Sequence, residues 1–241
     1  MARSNADQSI RAQLLWQMRE GRFSQCERLP RESVLAQLMG ISRTQLRDSL
    51  ALLEREGFIS RRHGIGTVIN RHVLDIQTRM DLEQEFMDMI RGAGYQADIA
   101  FVKAGEIACD AEIAGRLQIE PGAKVLRVSR LVTADGRPTI YCDDFIDWQK
   151  IKDSSYDEQS LLMPIFYFLA RYCDSEPVMD VTELRPIAAD QRLAEIFSVV
   201  PGTPLLFMDE VDYDIEGRPV FCSAEYYIDG IIKHMVMRKK L

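Results

Sequence analysis

Leu46, Leu50 and Leu53 recur at three- and four-residue spacing, which places them on one face of a helix with Arg43, Gln45 and Arg47 on the other. That helix has a defined start. Ser42 stands as an N-cap three residues before Gln45, the spacing at which each side chain satisfies the other residue's free backbone N–H. A shorter helix precedes it, from Arg31 to Gly40; Pro30, with its locked φ and missing N–H, opens it, and Gly40 breaks it. Ile10, Leu14 and Met18 repeat at helical spacing across Ser9 to Glu20 and predict a further helix that completes a small core. After Gly57 the pattern turns β-like. Phe58 to Arg61 and Thr67 to Ile69 flank Arg62-His63-Gly64-Ile65-Gly66, which predicts a glycine-tipped hairpin, a wing. Two helices across a tight turn followed by a wing make a winged helix-turn-helix.

A second pattern occupies the rest of the chain. Ile107-Ala108-Cys109-Asp110, Ala114, Leu117, Pro121-Gly122 and Gly136-Arg137-Pro138 recur as Ile187-Ala188-Ala189-Asp190, Ala194, Phe197, Pro201-Gly202 and Gly217-Arg218-Pro219. Each copy predicts a helix opened by an aspartate, a Pro-Gly turn into a strand, and a Gly-Arg-Pro connection into another strand. Two such copies imply a mainly antiparallel sheet backed by helices, with a pocket where the halves meet. Residues 70 to 80 carry no strong hydrophobic period. The expected organisation is therefore a winged helix-turn-helix domain over residues 1–70, a linker over 71–80 and a second, repeat-built domain over 81–241, an α+β chain as a whole.

Charge sharpens the picture. The chain carries net charge −7, yet residues 1–75 hold twelve arginines against eight acids, and residues 76–241 hold eighteen basic residues against twenty-nine acids. No lysine precedes Lys103, so the basic charge of the first domain is all guanidinium, suited to bidentate contacts with guanine or phosphate. Arg43 and Arg47 lie in the first turn and a half of the second helix, the part that reaches base edges when a helix enters the major groove. Arg61, Arg62 and His63 sit beside glycines whose missing Cβ lets the wing backbone approach DNA closely.

Leu29-Pro30, Glu32, Leu35-Ala36, Ile41-Ser42-Arg43-Thr44, Arg47, Leu50, Leu53-Glu54, Gly57 and Gly64-Ile65-Gly66-Thr67-Val68 together resemble the signature of the GntR family of bacterial transcription regulators. The resemblance implies double-stranded operator DNA as partner, with contacts from Ser42, Arg43, Thr44, Gln45 and Arg47 and from the wing residues Arg62, His63, Gly64, Gly66 and Thr67. Two positions depart from the family pattern. Arg31 and Ser33 stand where the family usually has serine and a phosphate-contacting arginine, and Arg31 is the substitute contact; Ile65 stands where an arginine is common. Residues 80 to 240 resemble the ligand-sensing UTRA domain of the HutC subfamily, which has a chorismate-lyase-like fold. That resemblance implies a small effector, a sugar phosphate, amino-acid derivative or other small anion, bound by a homodimer. Arg130 matches one of the subfamily's two phosphate-binding arginines, whereas Val132 falls where the second would be. Tyr141 and Asp143, with Glu225 and Tyr227 in the second copy, are further effector-binding candidates; each also fits a structural role, and for Arg130 an ion pair to an acidic neighbour is the competing assignment.

Cys26, Cys109, Cys142, Cys173 and Cys222 show no Cys-x-x-Cys spacing, and His63, His72 and His234 lie far apart. No zinc site, cofactor loop or nucleophile elbow is expected, so neither metal, cofactor nor catalytic residues are assigned. The apolar run Leu161 to Ala170 contains Pro164, is too short to span a membrane and predicts a buried helix. With no secretion core in the first twenty residues, the expected location is the cytoplasm. An effector-responsive regulator, expected to be a repressor that binds a palindromic operator as a homodimer, thus stands against two alternatives: an enzyme of chorismate-lyase-like fold with an accessory winged helix, and a structural DNA-binding protein without effector.

Overall fold

A computed structural model describes residues 2–239, with side chains from residue 10 onward; the outer limits expected for the two domains, residues 1 and 241, lie outside that range. The chain forms two compact units. One comprises the residues up to Asp81 together with those from Met235 on, and the other is Leu82–His234.

In the first unit, α1 (Ala2–Arg19) and α3 (Arg43–Arg55) pack together, with α2 (Glu32–Met39) joined to α3 by the turn at Gly40. Leu14, Met18, Leu35, Leu46, Leu50 and Leu53 are all at most 1% exposed, so the leucine stripe of α3 is the centre of this core. Gly40 ends α2 with φ +67°, a left-handed conformation that suits glycine. Pro30 falls one residue before the N-cap Arg31, outside the helix it was expected to open. The wing is the hairpin β1 (Ile59–Arg62) and β2 (Gly66–Ile69). Residues 27–29 lie along β2, Leu29 N–H donating to the Thr67 carbonyl and Ile69 N–H to the Glu27 carbonyl, each at 2.9 Å, so the hairpin is tied at its base.

Residues 71–80 are not the loose linker expected. They hold α4 (Arg71–Leu74) and β3 (Thr78–Arg79), and Val73, Leu74, Thr78 and Arg79 are buried. Arg71 is the reason: its guanidinium donates to the carbonyls of Met18, Phe23 and Cys26, acceptors that the loop after α1 leaves open. Arg79 donates to the Glu56 carbonyl at 2.6 Å and stacks 5.0 Å from the centre of the Phe58 ring. Met80 N–H reaches the Met235 carbonyl at 2.8 Å, which brings the end of the chain back to this unit rather than to the second.

The second unit begins with α5 (Phe86–Gly92) and is built on a six-stranded antiparallel sheet. Its first half is β4 (Ala97–Ala108), α6 (Ala111–Leu117), β5 (Lys124–Ala134) and β6 (Arg137–Asp147). After α7 (Glu158–Leu161) and α8 (Ile165–Tyr172) the pattern returns as β7 (Met179–Ala188), α9 (Gln191–Phe197), β8 (Pro204–Tyr213) and β9 (Pro219–Ile228). The strand order β4-β5-β6-β9-β8-β7 sets the two copies back to back, joined where β6 pairs with β9. The repeated aspartates are the N-caps. Asp110 accepts from Ile113 N–H at 2.9 Å and Asp190 from Leu193 N–H at 2.7 Å. Each copy also contains a strand ahead of its helix, β4 or β7, which the sequence pattern did not reveal; these two edge strands are largely exposed on both faces and carry no clear alternation.

Strand alternation divides the sheet into two differently covered faces. On one, Leu131 and Tyr141 pack under α9, and Val125, Phe145 and Cys222 pack under α6. On the other, Leu126, Val128, Ile146 and Phe221 pack against Phe168, Leu169 and Tyr172 of α8. The apolar run at Leu161 to Ala170, expected to be a buried helix, is divided by Pro164, the N-cap of α8, and is buried only at Leu161, Phe168 and Leu169, while Leu162, Tyr167 and Ala170 are exposed. Among the described residues no helix is long and apolar enough to cross a membrane.

Candidate DNA interface and effector cavity

The start of α3 is built by the capping box. Ser42 Oγ accepts from Gln45 N–H at 3.2 Å, and Gln45 Oε1 accepts from Ser42 N–H at 3.1 Å and from Ser42 Oγ at 2.8 Å. Ser42 and Gln45, both exposed, are therefore committed to each other through the serine hydroxyl and the glutamine oxygen. Arg43 and Thr44 are exposed with no side-chain partner among the described residues, and Arg47 is 69% exposed with only Glu32 at 4.0 Å. A helix N-terminus that holds two exposed guanidiniums is electrostatically unfavourable by itself and favours an anionic partner.

A groove between the start of α2 and the wing gathers Arg31, Arg62, His63, Gly64, Gly66 and Thr67. Gly64 and Gly66 have φ of +77° and +93°, values that a side chain would strain, so glycine here serves the shape of the tip. Arg61 plays a different part from its neighbours. Its side chain meets Glu54 at 2.7 Å and its N–H donates to the same carboxylate at 2.8 Å, so it fastens the wing to α3 instead of presenting a free charge. Arg28, absent from the candidates, donates to the Ile65 carbonyl at 3.3 Å and props the wing tip; an isolated arginine before the helix has no pattern that would single it out.

The second unit holds a cavity of about 410 Å³ on the α8 face of the sheet. Arg130 lines it and is 5% exposed. Of the two assignments considered for Arg130, the ion pair is present: Nη1 pairs with Asp144 Oδ2 at 3.3 Å, Nη2 donates to the Leu161 carbonyl at 3.1 Å, and Nε has no partner among the described residues. Glu225 also lines the cavity, and Tyr227, on the same face, donates its hydroxyl to Glu225.

Tyr141 and Asp143 do not belong to this cavity. Arg130 stands opposite Cys142, so Tyr141 and Asp143 point to the other face. The cause is a one-residue bulge. At the hairpin end Thr133 pairs with Pro138 and Ala134 with Arg137, a register that would have brought Arg130 opposite Tyr141; the shift between Val132 and Thr133 reverses the faces. Asp143 instead anchors a closed network, accepting from Arg127 Nε at 2.9 Å, Tyr141 OH at 2.9 Å and Ser129 Oγ.

The cavity contains groups that sequence reasoning missed: Glu83 and Glu85 ahead of α5, Asp144 on β6 and Glu210 on β8. They come from three distant segments and share no spacing. Burial raises their carboxyls, Asp144 to about 6 despite the neighbouring Arg130 and Glu85 to about 7. Burial and the charge of Asp180 push Glu210 to about 7, and burial with the charges of Glu210, Asp180 and Glu85 pushes Glu83 to about 8. Glu225, wholly enclosed, lies well above the usual carboxylate range, again chiefly through burial. Such a wall disfavours a doubly charged phosphate, against the expectation of a small anionic effector.

Residues 6–69 match the model of the bacterial regulatory proteins, gntR family, and residues 92–229 match the UTRA domain, more than half of the chain. The chain belongs to the GntR family. Its UTRA domain assigns this GntR regulator to the HutC type. It is 25% identical over 208 residues to an uncharacterized HTH-type transcriptional regulator of Rhizobium meliloti (strain 1021), covering 85% of this chain and 83% of that protein. It is likewise 25% identical to the HTH-type transcriptional repressor NagR of Bacillus subtilis (strain 168) over 205 residues, 85% of this chain and 82% of NagR. The crystal structure of the possible transcriptional regulator YydK from Bacillus subtilis superposes with a TM-score of 0.78 at 18% identity over 97% of this chain and 99% of that one, which establishes a shared fold. This GntR protein is a transcriptional regulator with a DNA-binding domain and a ligand-sensing domain, and the enzyme alternative falls away.

Proposed function

We propose that this regulator is a repressor that binds a two-fold symmetric operator as a homodimer in the cytoplasm and changes its DNA affinity when a small molecule occupies the cavity of the second unit. Arg43, Thr44 and Arg47 read base edges in the major groove, Ser42 and Gln45 hold the helix start against the backbone, and Arg31, Arg62, His63, Gly64, Gly66 and Thr67 contact phosphates or the minor groove. The observation that carries this reading is the pair of exposed arginines on the capped start of α3, Arg43 without a side-chain partner among the described residues and Arg47 with only a 4.0 Å contact to Glu32, in a unit separate from the one that holds the cavity. The repressor assignment is supported by the similarity to NagR. Occupation of the cavity acts by favouring one arrangement of the two reading heads, typically with about 1 to 3 kcal/mol of coupling.

Selection of bound fragments from a random-sequence DNA pool tests the proposal. Enrichment of an inverted repeat, bound at two protein chains per fragment, is expected; no enriched sequence, or an asymmetric one bound by a single chain, would refute it.

A further inference from the structure

The charge and shape of the cavity narrow what it accepts, an inference that rests on the proposed role of the cavity as the effector site. Six carboxylates line it, Glu83, Glu85, Asp88, Asp144, Glu210 and Glu225, against two guanidiniums, Arg91 and Arg130. Both guanidiniums are engaged, Arg91 with Asp88 at 3.1 Å and Arg130 with Asp144 at 3.3 Å. Glu83, Glu85, Glu210 and Glu225 have no ion pair among the described residues.

One end of the cavity concentrates this excess. Two of the lining residues, Glu83 and Glu210, have their carboxylates within 4.8 Å of each other and of Asp180, which stands beside the cavity without lining it; Asp180 and Glu210 lie on the face of the sheet that also carries Arg130. The Thr182 hydroxyl lies 2.8 Å from Asp180 Oδ2 and 2.9 Å from Glu210 Oε2, but its single proton serves only one of them at a time. Behind them Asp212 is 2% exposed and its Oδ2 has no partner, and Gln84 Oε1 in the cavity wall is also an acceptor without a donor. The buried acceptors among these, Glu210, Asp212 Oδ2 and Gln84 Oε1, call for donors and positive charge from elsewhere. An ammonium supplies both, a unit charge and three N–H donors in a space that three carboxylates surround. The rest of the wall is apolar, with Phe86, Phe166 and Phe221 among the lining residues. A metal ion alone would satisfy the carboxylates and leave that wall uncovered, and a phosphate would bring further negative charge to it.

We propose that the cavity binds an organic amine, its ammonium seated among Glu83, Asp180 and Glu210 and its apolar body against Phe86, Phe166 and Phe221. Arg130 Nε, a buried donor without a partner among the described residues, is free to take an oxygen of the same molecule, so amino compounds that also carry a hydroxyl, carbonyl or carboxylate fit equally.

The test is a thermal-shift panel on the full chain without DNA. Alkyl and arylalkyl amines from butylamine to phenethylamine are compared with the carboxylates, alcohols and phosphate monoesters of the same carbon skeletons, and with magnesium and manganese salts alone. At amine concentrations about a hundred-fold above Kd the melting temperature should rise by about 5 °C or more. At least one amine should stabilise the protein where its carboxylate and phosphate counterparts do not. Glu210→Gln should reduce that shift several-fold, and Glu83→Gln should do the same if Glu210→Gln proves unstable. Stabilisation by phosphates or carboxylates in place of amines, by metal salts alone, or by no amine in the panel would overturn the proposal. Because no DNA is present, a negative panel leaves operator binding untouched, and failed operator selection leaves the amine result standing.

Discussion

Replacing Arg43 and Arg47 by alanine should separate DNA reading from folding. Neither side chain is buried, and the sole ion pair between them is the 4.0 Å contact of Arg47 with Glu32, at a surface position where such pairs contribute from nothing to about 1 kcal/mol. Against that small loss, alanine has the better helix propensity by a few tenths of a kcal/mol. Removing positive charge from the first turn also relieves an unfavourable dipole interaction of about 0.3 to 1 kcal/mol. The doubly substituted protein should therefore melt within a degree or two of the parent or slightly above it. DNA affinity should move the other way. Each arginine that makes a bidentate contact to guanine contributes about 1 to 3 kcal/mol, so each single substitution should weaken binding to a selected operator about 5- to 150-fold. Fluorescence anisotropy across a salt series distinguishes the kind of contact. An arginine that touches phosphate reduces the slope of log K against log salt by about 0.9 and weakens all sequences alike, whereas one that reads a base relaxes specificity at its own position. Unchanged operator affinity, or an affinity loss that tracks a matching loss of melting temperature, would refute the assignment of α3 as the reading helix.

Other substitutions address the scaffold. Ser42→Ala should cost about 1 kcal/mol in urea unfolding of the first unit, and Gln45→Ala added to it should cost little more, because both belong to one capping box; full additivity in the double-mutant cycle would contradict that coupling. Arg130→Met should destabilise the second unit by about 3 kcal/mol at pH 8, where Asp144 would be left buried without its partner, and by clearly less at pH 5, below the value of about 6 to which burial raises Asp144; an equal cost at both pH values would argue against the pairing. Calorimetry should show the second unit losing stability as pH rises from about 5 to 8. Glu85 and Glu210 near 7 and Glu83 near 8 keep protons in the folded chain that an unfolded carboxylate has already released, so folding binds protons in this window and is weakened as they leave. The groups that face this cluster, Asp180, Asp212, Asp144 and Glu225 against Arg130, are predominantly acidic, and Glu210→Gln should flatten the slope; a melting temperature that rises with pH would contradict it.

Much of the reading head was legible because its signals are local. The Ser42–Gln45 box spans one helical turn, the leucines of α3 sit three or four residues apart, and glycines at positive φ mark the ends of α2 and the tip of the wing. Each is a statement about neighbours in the chain. The repeat in the second unit was legible for a similar reason, since Asp110 and Asp190 cap short helices and the Pro-Gly turns follow at fixed distance. Residues 71–80 escaped that kind of reading. Arg71 and Arg79 act on carbonyls well away in sequence, Met18 and Glu56 among them, and an arginine's use as a brace is invisible in spacing.

What the amino-acid sequence determined by itself was the set of elements and the family of the two domains, because caps, turns and hydrophobic periods act over a few residues. Tertiary structure alone decided which side chains share a face and a cavity. A one-residue bulge at the β5–β6 turn moved Tyr141 and Asp143 away from Arg130, since register in a sheet has a period of two and a single slip exchanges the faces. It also took the folded sheet to bring Glu83, Asp180 and Glu210 together from the unit's first residues, one edge strand and its neighbour, and their crowding is the ground for the proposed preference for an ammonium.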